Sequence, residues 1–218
     1  MADATIIEYA LSMLEFAWIP AEDRNSRRVM VMLHGLGDSL EGYRWMPSVL
    51  QLPWLHFALV NAPDEYYGGY SWFDFPGNPE PGVRRSQQLL TELLDEFRSR
   101  GFAPEQTTLG GFSQGCLMAI EIGMRYPHRL AGIVGISGRA SNPSQLIAEQ
   151  SALAKQQRFF ITHGTLDQVI PFSQSRDHVR ELQGAGLNIE WHELVKPHTI
   201  AGEEEISLIR EFVRKGYE

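Results

Sequence analysis

Apolar residues fall into short unbroken runs, separated by longer stretches in which they recur every three or four positions. This alternation predicts strands and helices following one another along the chain. Arg28-Val29-Met30-Val31-Met32-Leu33 is a nearly continuous apolar run, the mark of a strand covered on both faces. Leu55-His56-Phe57-Ala58-Leu59-Val60 reads as a second. Further strands are predicted over residues 107–111, 131–136, 158–162 and 187–194. Leu89, Leu90, Leu93, Leu94 and Phe97 recur at helical spacing within residues 82–100, and Gly101 supplies the stop. Residues 114–126, 175–183 and 203–213 read as the remaining helices, the first ending before Pro127. The beginning of the chain fits two patterns. Ile7, Tyr9, Leu11 and Met13 alternate as in a strand, whereas Ile7, Leu11, Leu14 and Trp18 follow a helix. Residues 61–81 form a long stretch rich in Gly, Pro and aromatic side chains. A loop of that length in a compact domain is usually functional.

These elements predict an α/β fold: a mostly parallel twisted sheet with helices on both faces and no insertion large enough for a separate cap domain. No repeat, linker or low-complexity tract interrupts residues 1–218, which read as one domain; 218 residues suffice for one sizeable core. The apolar content of 43% and charged content of 21% are those of a globular chain. No apolar stretch approaches the roughly 20 residues that span a bilayer, so no stable membrane anchoring is expected. The start of the chain carries no basic residue, and Glu8 and Glu15 break the apolar run after it, unlike a signal peptide. A net charge of −8 argues against nucleic acid as a partner. Arg24, Arg27 and Arg28 are the densest basic cluster, and they read as a solvated turn. Cys116 is the sole cysteine, which excludes an intramolecular disulfide. These absences together predict a cytoplasmic protein, and they leave monomer and homodimer equally open.

The chemistry is carried by Gly110-Gly111-Phe112-Ser113-Gln114-Gly115, which closes a predicted strand and opens a predicted helix. It holds the pattern Gly-x-Ser-x-Gly of a nucleophile elbow. A sharp strand-to-helix turn strains the serine backbone, and side chains two residues to either side would collide with it. The hydroxyl is then presented at a helix N-terminus, which favours developing negative charge. A serine hydroxyl needs a base to remove its proton. In this class the order is Ser, acid, His, and Asp167 and His198 follow in that order, each in a loop just beyond a predicted strand. Open α/β sheets place their sites at such strand ends. The other histidines carry less: His163 reads as packed or locally bonded, His192 as a sheet-face residue, and His178 as a helix-surface one. His34-Gly35-Leu36-Gly37-Asp38 follows the first buried strand, and a turn there can aim backbone N–H groups into the site.

Taken together, His34 to Asp38, Ser71-Trp72-Phe73-Asp74, Gly110 to Gly115, His163-Gly164-x-x-Asp167-x-x-Ile170-Pro171 and His198 resemble the phospholipase/carboxylesterase family of α/β-hydrolases. That family includes acyl-protein thioesterases, lysophospholipases and bacterial carboxylesterases. The resemblance implies a catalytic triad of Ser113, Asp167 and His198, an oxyanion hole of the Leu36 and Gln114 N–H groups, and an acyl pocket lined by Trp72 and its neighbour Phe73. It implies an ester or thioester as the small-molecule substrate. Trp72 and Phe73 in a long loop with no cap sequence favour short to medium acyl chains, and acyl transfer through the triad needs no metal or organic cofactor. The chain departs from the family pattern in three places: Pro197 before the histidine, Arg139 where an aromatic residue is usual, and Cys116 in place of a glycine. Arg139 is thereby a candidate substrate-binding cation.

Competing readings fare worse. Gly37-Asp38-Ser39-Leu40 spells the nucleophile block of another esterase class, but the Asp-x-x-His pair that class needs is absent. No H-E-x-x-H zinc motif occurs, and Leu40 stands where a dinucleotide-binding loop needs its third glycine. A hydrolase scaffold retained only for binding typically loses its serine or histidine, and both are present here.

Overall fold

The computed structural model describes residues 7–8 and 14–218. In chain order the strands are β1 (Ile7–Glu8), β2 (Phe16–Ile19), β3 (Arg28–Leu33), β4 (Leu55–Val60), β5 (Asp64–Tyr66), β6 (Gly69–Ser71), β7 (Thr107–Phe112), β8 (Gly132–Ile136), β9 (Arg158–Gly164) and β10 (Asn188–Leu194). The helices are α1 (Met46–Leu50), α2 (Glu80–Ser99), α3 (Gln114–Arg125), α4 (Pro143–Ala148), α5 (Phe172–Gly184) and α6 (Gly202–Lys215). Eight strands form one sheet in the order β1-β2-β4-β3-β7-β8-β9-β10. All neighbours run parallel except at one edge, where β2 is antiparallel to both β1 and β4.

The apolar run of β3 follows from its central place. Val29, Val31 and Leu33 enter one core and Met30 and Met32 the other, because successive strand side chains point to opposite faces. The first core is closed by Leu90, Leu93, Leu94 and Phe97 of α2, by α3, and by Val179 and Leu182 of α5. The second is closed by Met46 and Leu50 of α1 and by Ile206, Ile209, Phe212 and Val213 of α6. Helices therefore cover both faces of a mostly parallel sheet, the α/β-hydrolase arrangement expected.

Strand order decides where a site can form. From β3 the chain goes to β4 on one side, then returns to β7 on the other and continues outward to β10. The direction reverses between β3 and β7, and ligands in open α/β sheets bind at the carboxyl ends of strands at such a switch point.

Most elements lie within three residues of their expected ends. Near the start of the chain, β1 and β2 support the extended pattern, since Trp18 lies in a strand rather than a helix; Tyr9, Leu11 and Met13 lie outside the described residues. Three short features were not anticipated: α1, α4, and the β5–β6 hairpin inside residues 61–81. For α4 a signal was present. Asn142 caps it, its side chain accepting the Gln145 N–H at 3.2 Å, and Pro143 follows at the first helical position.

Candidate active site

The glycines of the elbow are required by contact. A Cβ on Gly111 would collide with the Gly115 carbonyl, and one on Gly115 with the Leu33 carbonyl of the neighbouring strand. Ser113 itself sits at φ 55° and ψ −112°, a conformation few residues other than glycine adopt. Its N–H donates to the Ile136 carbonyl at 2.9 Å, which ties the strained turn to β8. Its hydroxyl is left partly exposed at the N-terminus of α3.

The two loops expected to supply acid and base meet it there. Ser113 Oγ lies 3.0 Å from His198 Nε2, and His198 Nδ1 lies 2.7 Å from Asp167 Oδ2. The other carboxylate oxygen, Oδ1, accepts the Val169 and Ile170 N–H groups, both at 2.9 Å. Burial of Asp167 works to raise its pKa, but the bonds from His198, Ile170 and Val169 outweigh it and hold the group below the ordinary carboxylate value. An ionised carboxylate only accepts, so Nδ1–H donates to Asp167 and Nε2 is free to accept from Ser113.

The turn after β3 faces the elbow closely enough that a Cβ on Gly35 would press on the Ser113 Cβ at 3.3 Å. His34 shapes this turn from below. Its Nε2 accepts the Ala62 N–H at 3.0 Å, so its Nδ1–H donates to the Gly35 carbonyl at 2.6 Å. Burial lowers the His34 pKa, which keeps that tautomer neutral. Strand β6 holds the turn from the side, Tyr70 receiving the Gly37 N–H and donating to the Asp38 carbonyl, both at 2.9 Å. Among the described residues no acceptor takes the Leu36 or Gln114 N–H. Ser39 accepts the Glu41 N–H at 3.3 Å as the cap of a short helical turn, which accounts for the Gly-Asp-Ser-Leu string.

Other expected residues fall elsewhere. Trp72 is completely buried, its ring packed beside His34 with centroids 5.5 Å apart. Phe73 is 6% exposed and belongs to the same core. Both were expected to line an acyl pocket, and in this structure the two rings have little free surface. Arg139 is half-buried just after Gly138, a residue packed against the Ser113 carbonyl. Its Nη1 donates to the Ala140 carbonyl at 3.2 Å, and among the described residues no carboxylate pairs with it. His163 is buried, bonds Ile170 through Nε2 at 3.0 Å and stacks on Trp191. His192 lies on the sheet face against Phe160, and bonds Glu190 at 2.7 Å. Burial pushes the Cys116 thiol up to about 12, which leaves it un-ionised at neutral pH and inert as a nucleophile.

Two features were not legible in the motifs. The Gln114 side chain, not only its N–H, is used: its carbonyl oxygen accepts the Trp72 N–H at 3.0 Å and its amide donates to the Phe73 carbonyl at 3.1 Å. It staples residues 71–73 to the elbow. Beneath His198, Lys196 and Glu205 form a buried ion pair of 2.5 Å. Burial pulls the Lys196 ammonium below its ordinary pKa, with the Glu205 carboxylate opposing.

Fold and site together define a serine hydrolase of the α/β-hydrolase class. The chain belongs to the phospholipase/carboxylesterase family, whose sequence profile matches residues 14–216. It is 30% identical over 210 residues to acyl-protein thioesterase 1 of Yarrowia lipolytica, covering 87% of this chain and 91% of that protein. With acyl-protein thioesterase 1 of Schizosaccharomyces pombe it shares 33% identity over 159 residues, 65% of this chain and 69% of that one. Among solved structures, esterase PE8 is similar with a TM-score of 0.83 at 29% identity, covering 93% of this chain and 98% of that one. Among the described residues, no helix is long and apolar enough to cross a membrane.

Proposed function

We propose that this protein hydrolyses carboxylic esters or thioesters through an acyl-enzyme formed on Ser113. The observation that carries the reading is the hydrogen-bonded line from Ser113 through His198 to Asp167, 3.0 and 2.7 Å long. His198 Nε2 takes the Ser113 proton as Oγ attacks the carbonyl carbon, and Asp167 stabilises the imidazolium that results. The Leu36 and Gln114 N–H groups receive the oxyanion, helped by the positive end of α3. The intermediate collapses, His198 protonates the departing alkoxide or thiolate, and the acyl group stays on Ser113. Water, deprotonated by His198, then releases the acid and restores the hydroxyl.

The reading places short to medium acyl chains on exposed apolar side chains beside the acid. Leu166 and Val169 flank Asp167 and are 57% and 68% exposed, and Leu36 is partly exposed above the oxyanion turn. Relatives named acyl-protein thioesterase support thioesters as substrates, which the same steps accommodate. A fluorophosphonate probe tests the proposal. It is expected to add covalently at Ser113, and Ser113→Ala to lose on the order of 10⁶-fold in kcat. His198→Ala is expected to abolish turnover while His192→Ala retains it. Labelling at Ser39, or retained turnover in Ser113→Ala, overturns the reading.

A further inference from the structure

The loop between β10 and α6 carries His198 at its middle, and little of its outer surface holds it in place. Val195, Pro197 and Thr199 are all exposed. Lys196 is the exception, turned inward and 2% exposed, and its partner Glu205 has no exposed surface. Lys196 Nζ donates to Glu205 Oε1 at 2.5 Å and to the Thr199 carbonyl at 2.9 Å. Glu205 Oε2 accepts the Ala201 N–H at 2.6 Å. One ion pair therefore grips the loop two residues before His198, one residue after it and three residues after it.

The same pair reaches the acid. Glu205 Oε1 also accepts the Thr162 hydroxyl of β9 at 2.5 Å, and β9 leads directly into the Asp167 turn. The Lys196 carbonyl accepts the N–H of Leu166, the residue before Asp167, at 3.2 Å. The loops that present base and acid are thus cross-braced by the buried Glu205 side chain through Thr162 and by the Lys196 backbone through Leu166. Stability alone does not account for this. Desolvating two charges consumes most of their attraction, and replacing a buried pair with packed apolar side chains is often neutral or stabilising. What an apolar pair lacks is direction: it cannot hold the Thr199 carbonyl and the Ala201 N–H at fixed points.

We propose that Lys196 and Glu205 are positioning residues that hold the His198 imidazole in line with both Asp167 and Ser113. The proposal rests on the reading of Ser113, His198 and Asp167 as the acyl-transfer machinery. Misplacement of a reacting group by about 1 Å costs up to roughly 10²-fold in rate, so the effect falls on kcat and not on substrate affinity.

The experiment compares wild type, Lys196→Met, Glu205→Gln and the double variant Lys196→Met/Glu205→Met. Each is measured for thermal stability, for kcat and KM on a p-nitrophenyl ester, and for the rate of fluorophosphonate labelling at Ser113. The single Lys196→Met strands a buried carboxylate and is expected to lose stability and activity together. The double variant is expected to regain stability, while kcat and labelling rate stay about tenfold or more below wild type with KM within about twofold. Glu205→Gln keeps the side-chain shape and serves if the double variant does not fold; a drop in kcat at unchanged KM is expected there too. A folded double variant, or failing that Glu205→Gln, with kcat and labelling rate within about twofold of wild type overturns the positioning role. Absence of Ser113 labelling in the wild type instead overturns the acyl-transfer reading and this proposal with it.

Discussion

The indole N–H of Trp72 donates to the carbonyl oxygen of His34 across 2.9 Å, and no part of the ring reaches solvent. The ring is therefore part of the floor under the turn after β3, since His34 is the residue from which that turn departs. Removing it acts through packing. Trp72→Ala is expected to destabilise the fold by about 3–5 kcal/mol, as for large aromatic truncations in cores. Plotted against acyl chain length, kcat/KM of the variant is expected to run parallel to wild type. A selective loss on the longer p-nitrophenyl esters would put the ring in the acyl pocket after all.

Chain-length preference is expected to reside at the exposed apolar residues beside the acid. Each CH₂ buried there contributes about 0.8 kcal/mol, or roughly fourfold in affinity. Leu166→Ser and Val169→Ser are expected to reduce the gain per added carbon while leaving acetyl esters close to wild type. Equal losses on acetyl and hexanoyl esters would mean that these side chains do not contact the acyl chain.

Arg139 is a half-buried guanidinium that donates to the Ala140 carbonyl, and among the described residues no carboxylate pairs with it. It is expected to favour substrates that bring an anionic group. Two esters with the same acyl group, one with a neutral and one with a carboxylate-bearing leaving group, test this. Arg139→Gln is expected to lower kcat/KM on the anionic ester by about tenfold, the scale of one charge-assisted hydrogen bond, and on the neutral ester far less. Equal loss on both would assign Arg139 to packing.

The lowered pKa of Asp167 links stability to pH with a definite sign. Because the folded group titrates below the unfolded one, its stabilisation is complete above the unfolded value of about 3.9. It is lost as pH falls through the folded value. From about pH 5 downward, the melting temperature of wild type minus that of Asp167→Asn is thus expected to shrink as the buffer becomes more acidic. A difference that grew as pH fell below about 5 would mean that the carboxyl is raised in the folded protein.

Much of this was fixed locally and so could be read from the chain. The position of the sharp turn follows from Gly111 and Gly115, whose missing side chains are dictated by backbone atoms that would otherwise collide. The double-faced burial of β3 follows from its unbroken apolar run, and the order Ser113, Asp167, His198 follows from the loops after β7, β9 and β10, all at the same end of the sheet. Other properties depend on which distant segments become neighbours. An aromatic residue in a long loop looks the same whether it lines a pocket or fills a core, because both remove apolar surface from water; only its contact with His34, 38 residues away, made Trp72 core. Gln114 likewise gained a side-chain role from a loop 42 residues earlier. Lys196, between exposed Val195 and Pro197, reads in sequence as one more solvated charge. Tertiary structure alone turned it inward, because β9 and β10 lie side by side and α6 brings Glu205 beneath the same loop, where a buried charge is tolerated only with its partner.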